Sequence, residues 1–388
     1  MISVLSASST EADEPDLCVL DFLAQLDLKN RLKRHAVGLM FGPLQPLEPL
    51  AAVCRALPFD VTGIVSPLTS VPSVRRDPVY DTFTTTLTAL TSDEDEFVAG
   101  LSEEIGDEDE RGPIVELYER LAAKLSRPPK LILAFSSRAR PQGDHLINWL
   151  DKASDGRPVV GSYASSYTYA RDQADLLFNG ALYTNRVALV LIDAQAEPRF
   201  FFFSTPGGKR LRHRALITSS DGNLIKEVNG RPVLEYFAGL GLVDEDGSIT
   251  GARATPIFIE SPDHWRDLPM VASSLNAEGH VLCSLDVPPN ATLGLGGFDV
   301  LDVIDDMRGL IRNIKRESFD FCLIFSCVTR NRALGLSYLR EIHELETALG
   351  DKLPYCFAYS GGELCPVLDG DGRQRNAFHN LALVGCLL

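Results

Sequence analysis

Three widely separated stretches of this chain repeat one local plan, and that recurrence says more than any single motif. Each stretch opens with a short apolar run, at residues 36–41, 131–135 and 321–325. Each run ends in a small-residue turn: Gly42-Pro43, Ser136-Ser137 and Ser326-Cys327. An amphipathic stretch follows, then a second apolar run and a second small-residue turn, at residues 62–66, 159–162 and 356–362. A later apolar or alternating run closes each unit, at residues 83–90, 187–192 and 381–388. Short apolar runs bounded by turns read as strands, and 3.6-residue periodicity reads as helix. The expected fold class is therefore α/β, with repeated strand–helix–strand–strand units in mixed sheets forming two domains. The turns then gather at the carboxyl ends of parallel strands, where open α/β sheets bind small molecules.

A chain of 388 residues is long enough for two or three domains. Lys+Arg 37 against Asp+Glu 53 gives a net charge of -16. That balance opposes nucleic-acid and anionic-membrane surfaces, which need cationic side chains to displace counterions. Acidic runs at 93–96 and 103–111 read as solvated segments. The N-terminus has no basic leader, and no apolar segment reaches bilayer length, so a cytoplasmic protein without membrane insertion is expected. The eight cysteines should then be reduced. They are scattered without metal-ligand spacing, and Cys322 and Cys386 read as core residues.

Residues 1–34 read as an unstructured tail followed by a short helix with Leu17, Leu20, Leu23 and Leu28 on one side. Residues 35–205 form the expected N-terminal domain, with Leu47, Leu50, Cys54 and Leu57 on one helix face and Ile114, Leu117, Tyr118 and Leu121 on another. Residues 206–388 form the second. It opens with short alternating segments and hairpin turns at Asp221-Gly222 and Asn229-Gly230. Helices follow on Ile304, Met307, Ile311 and Ile314, and on Leu336, Leu339, Ile342, Leu345 and Leu349.

Familiar chemical motifs fail on their own residues. Gly207-Gly208-Lys209 lacks the upstream glycine and the hydroxyl of a P-loop, because Phe203 and Arg210 stand there. Asp299 occupies the third glycine position of a dinucleotide fingerprint beginning at Gly294. What survives is a C-terminal set of polar residues at strand ends. Ser326, Cys327 and Arg330 follow one strand; Tyr359, Ser360, Gly362 and Glu363 follow the next; His379 and Asn380 enter the last. Arg330 with loop amides suits a carboxylate, and Glu363 suits an ammonium, so the set fits a zwitterion. Ser136, Gly161 and Ser162 occupy the corresponding turns of the middle unit. Each residue also has a plain role: Cys327 as packing, Arg330 as a partner of an acidic loop, Glu363 as a turn cap, His379 as a core histidine. His35, His145 and His213 read as exposed, and His343 as core.

The C-terminal run from Phe325 to Arg330, the Tyr359-Ser-Gly-Gly-Glu363 turn and Phe378-His379-Asn380 resemble the C-terminal FIST domain. Leu131–Ser137 with Pro158-Val-Val-Gly161-Ser162 resembles the N-terminal FIST domain. The name denotes F-box and intracellular signal transduction. The resemblance implies a sensory module for small ligands, amino acids among them, and marks Cys327, Arg330, Gly362, Glu363, His379 and Asn380 as pocket residues. Phe357, where the family usually has glycine, and residues 163–167 depart from the pattern. The expectation is a non-catalytic sensor without a cofactor, signalling through a partner such as a histidine kinase. Similar bacterial members are haem-based nitric-oxide sensors, so haem on His379 or His343 is the alternative. A cysteine-dependent hydrolase or transferase using Cys327, His379 and Glu363 is the third reading.

Overall fold

The computed structural model describes the chain except for residues 12–13, 44–46, 73–83, 107, 138–140, 166–174, 205–209, 246, 248, 250–255, 263–267, 271, 298 and 350–352. Three mixed sheets carry the repeat seen in the sequence. In the first, β2 (His35–Gly42) runs parallel to β3 (Val61–Val65), with helix α3 (Leu47–Ala56) between them in the chain, and β5 (Thr85–Ser92) runs antiparallel to β2. The second repeats this with β7 (Leu131–Ser136), α5 (Gly143–Ser154), β8 (Val159–Tyr163) and β11 (Val187–Asp193). The third does so with β21 (Cys322–Cys327), β22 (Tyr355–Ser360) and β25 (Leu383–Leu387); α8 (Val328–Ala333) and α9 (Arg340–Leu349) lie between the parallel strands.

The units exchange strands in a closed ring. The strand after β3, β4 (Thr69–Ser70), pairs with β22 of the third unit. The strand after β8, β9 (Leu176–Phe178), pairs with β3 of the first. The strand after β22, β23 (Glu363–Leu368), pairs with β8 of the second. A second exchange runs beside it: β6 (Glu96–Leu101) follows β5 but pairs with β11, and β12 (Arg199–Phe203) follows β11 but pairs with β25. The opposite faces of the three sheets enclose a shared apolar core drawn from all of them. Phe41, Phe135 and Phe325, one from each unit, meet there edge to face with centroids 5.7, 5.8 and 6.2 Å apart, the arrangement favoured by ring quadrupoles.

This contact sets the units in register. Next to the phenylalanines, Met40 faces Gly63 and Ala134 faces Gly161, and at both glycines a Cβ would collide with the facing residue's carbonyl oxygen. The third unit has Ile324 facing Phe357 instead, so the departure at Phe357 lies where the other two units have glycine. Its ring is buried among Met307, Leu310 and Tyr359.

Between β12 and α7 (Val300–Ile314) the third unit carries an insertion with its own sheet of eight strands, β13 to β20, the first at Arg210–Asp221 and the last at Thr292–Gly296. Asp221-Gly222 and Asn229-Gly230 both lie at its hairpin turns as expected, and Asn229 and Gly230 take φ of 53° and 71°. Asp299 caps α7 reciprocally with Asp302.

Four readings need correction. Ser3–Ser9 is not an unstructured tail but β1, an edge strand on β5, because Leu5, Ala7 and Ser9 alternate toward the interior. Helix α1 (Pro15–Leu26) buries Cys18, Phe22 and Leu26, while Leu17 and Leu20 face solvent. Leu336 is exposed and precedes α9. His343 is exposed on α9, opposite the face of Ile342, Leu345 and Leu349. No described helix is long and apolar enough to cross a membrane.

Candidate functional site

Arg330 does not offer its charge to a ligand. It is buried in α8, where Nη1 donates to Asp306 Oδ2 at 2.7 Å and Nη2 donates to Glu341 Oε1 at 3.2 Å and the Val303 carbonyl at 3.2 Å. Glu341, in the first turn of α9, gathers the strand-end hydroxyls as well. The Tyr359 hydroxyl donates to its Oε2 at 2.9 Å and Ser326 Oγ donates to the same atom at 3.1 Å. A buried carboxylate collecting a guanidinium and two hydroxyls is electrostatically complete, so this cluster joins α7, α8, α9 and two strands rather than forming an open anion site. Glu341 and Asp306 were not singled out from sequence; their acidic places on amphipathic helices look solvated until the strand ends are packed against them.

One step along the same strand ends, the hydrogen bonding is incomplete. Glu363 is fully buried at the start of β23, and Ser360 Oγ donates to its Oε1 at 2.5 Å. Its Oε2 has no partner. Burial pushes the carboxyl up to about 8, against opposing hydrogen bonds from Ser360, the Ala382 backbone and Cys327, so the group is largely protonated at neutral pH. Across the strand pair, Glu363 stands opposite Ser162, whose Oγ is also buried without a partner. Directly opposed residues on antiparallel strands share a face with Cβ atoms roughly 4.5–5.5 Å apart. On its other side Glu363 stands opposite His379, so Ser162, Glu363 and His379 form a row on the face toward the central core.

Cys327 adjoins Glu363. Burial, and then the Glu363 charge, push its thiol up to about 12, so it is a protonated thiol at neutral pH. His379 Nε2 lies 2.9 Å from the Cys365 carbonyl, so it carries the proton and donates, and its ring packs on Phe202 at 4.3 Å. Of the two histidines considered for haem, His379 has Nε2 committed within the sheet, and His343 faces solvent. Asn380 donates to the Pro269 carbonyl at 3.2 Å, joining the final strand to the insertion. Gly362 leaves room for the Phe378 ring, and its carbonyl accepts from the Tyr163 N–H at 2.9 Å.

The structure thus separates the predicted set. Ser360, Glu363, Cys327 and His379 gather around one buried carboxyl, joined by Ser162 from the middle unit; Ser326, Arg330 and Tyr359 belong to the Glu341 cluster. Ser136 and Gly161 lie in the middle unit, where Ser136 Oγ donates to the Ser137 carbonyl at 3.1 Å and Gly161 permits the close approach of β7.

A second polar cluster lies outside all of these residues. His145, half-buried rather than exposed, holds Glu110 Oε2 at 3.0 Å from Nδ1 and Asp286 Oδ2 at 3.2 Å from Nε2, with Asp144 beside it. Its acidic hydrogen-bond partners, Asp286 first, push the imidazole up to about 9 despite burial. The pairing is invisible in sequence because Asp286 comes from the insertion.

The family model for the FIST N domain matches residues 36–231, and that for the FIST C domain matches residues 237–366. No curated protein matches the chain.

Proposed function

The chain belongs to the FIST family of signal-transduction sensor domains, and we propose that it binds a small amino-acid-like ligand and signals through a partner protein. The observation that carries this reading is the paired deficit of Glu363 Oε2 and Ser162 Oγ. A buried polar atom without a partner costs about 1–3 kcal/mol, and a ligand that supplies the missing hydrogen bonds recovers that cost. An ammonium suits the pair. It donates to both oxygens, and its charge draws the proton from Glu363 and holds the carboxylate ionised.

The position also suggests how binding is transmitted. Glu363 belongs to the third unit but its strand completes the sheet of the second, so a ligand there bears on the seam between them. A change at that seam is passed to a separate signalling protein, such as a histidine kinase, in the cytoplasm. The plain alternative is a structural row of polar residues with no ligand.

Isothermal titration of the full chain across amino acids and related amines tests the reading. Binding of one such ligand, weakened at least tenfold in both Glu363→Gln and Ser162→Ala, is the expected result. No binding across the series, or an affinity untouched by both changes, defeats it.

A further inference from the structure

We propose that the exposed apolar surface formed by the start of α7 and the link between α8 and α9 docks a second copy of this chain about a two-fold axis. The link carries Leu334, Leu336, Tyr338 and Leu339, and the fold divides them. Leu334 is buried and Leu339 packs against the core under α9, whereas Leu336 is fully exposed and Tyr338 is exposed beside it. Leu301, in the first turn of α7, is 66 % exposed. Single exposed leucines are ordinary; a gathering of them marks an interaction site.

These side chains share one firm base. Val303 and Ile304 of α7 pack with Leu334 in a small apolar cluster, and Val300 and Ala333 lie against it. Leu301 follows Val300, and Leu336 comes two residues after Leu334, so both stand at the margin of that cluster. The link is held with its leucine outward. Gly335 takes φ of 54°, the Ser337 N–H donates to the Leu334 carbonyl at 2.9 Å, and buried Asn331 donates through Nδ2 to the Tyr338 carbonyl at 2.7 Å. Arg330 ties the two halves together, donating to the Val303 carbonyl on α7 and to Glu341 on α9. An apolar side chain presented on a backbone already fixed loses little conformational entropy on docking.

The charges around the surface select the occupant. The α7 side carries Asp299, Asp302 and Asp305, with Asp305 77 % exposed. Arg308, next along α7, is taken up by Glu344 at 2.7 Å. The link side carries Arg332 and Arg340. A surface acidic on one half and basic on the other is complementary to itself. A two-fold axis between Leu301 and Leu336 sets the acids of one copy over the arginines of the other. A partner of one sign would meet like charge on one half. With a net charge of -16, two copies repel at long range, so they meet only where such local pairing opposes that repulsion.

Sedimentation equilibrium of the full-length chain across the micromolar range tests the interface. A reversible dimer is expected, with its dissociation constant raised about tenfold or more in Leu336→Glu and in Leu301→Glu. Asp305→Arg and Arg340→Asp should each weaken it, and both reversals in one chain should restore it. All four side chains are exposed, so each variant should keep the wild-type circular dichroism spectrum. The outcome is independent of ligand binding at Glu363. A monomer at every concentration, a dimer indifferent to both leucine changes, or a doubly reversed variant as weak as the single ones overturns the proposal.

Discussion

Ser162 stands directly opposite Glu363 where β23 of the third unit joins the sheet of the second, and Ser162 Oγ and Glu363 Oε2 are both buried without a hydrogen bond. Native interiors satisfy nearly all such atoms. They are two of several departures from that rule among the described residues, and these two stand opposite each other at a seam between units.

The Glu363 carboxyl makes stability depend on pH. In the unfolded chain it loses its proton near ~4.3, and in the folded chain it keeps it to about 8. The folded state therefore binds more protons across that window, and stability falls as pH rises through it, levelling off above the folded value. In Glu363→Gln this contribution is gone, so melting temperature should decline less between pH 5 and 8, with the variant the more stable at pH 8. Identical pH slopes for variant and wild type would show that the carboxyl is not held in this way.

Arg330 is a structural cation. Arg330→Ala leaves Glu341 buried and uncompensated, and is expected to cost about 3–5 kcal/mol in urea unfolding. Adding Glu341→Gln should recover part of this loss, because the two groups are coupled. Additive losses in the double variant would contradict the pairing.

Cys327 should resist alkylation. With its thiol pushed up to about 12 by burial, iodoacetamide at neutral pH is expected to leave it unmodified in the folded protein and to label it in urea. Rapid labelling of native Cys327, located by peptide mass spectrometry, would restore the nucleophile reading.

Gly161 has no tolerance for a side chain. In Gly161→Ala the new Cβ meets the Ala134 carbonyl, and separating β7 from β8 is expected to cost about 1–3 kcal/mol or more. Gly63→Ala should behave alike against Met40. Unchanged urea midpoints in both variants would show that the paired strands adjust without strain.

Much of this architecture was legible in advance. The apolar runs at 131–135, 187–192 and 321–325 announce strands because burial on both faces demands unbroken hydrophobicity, and their spacing announces the helices between. The strand Ser3–Ser9 was missed because serine dominates its composition while only alternate positions are buried. The site was legible as residue types and not as partners. Glu363, Ser360, Cys327 and His379 do gather, whereas Arg330 turns to Asp306 and Glu341.

Local chemistry, written residue by residue, determined that this chain makes three strand–helix–strand units and where their polar turns fall. Only the folded molecule decided that the units trade strands around a ring, which sets Ser162 against Glu363 and carries Asp286 to His145. The physical reason is that periodicity reports which face of an element is buried, while the identity of whatever covers that face depends on long-range pairing that no local pattern encodes.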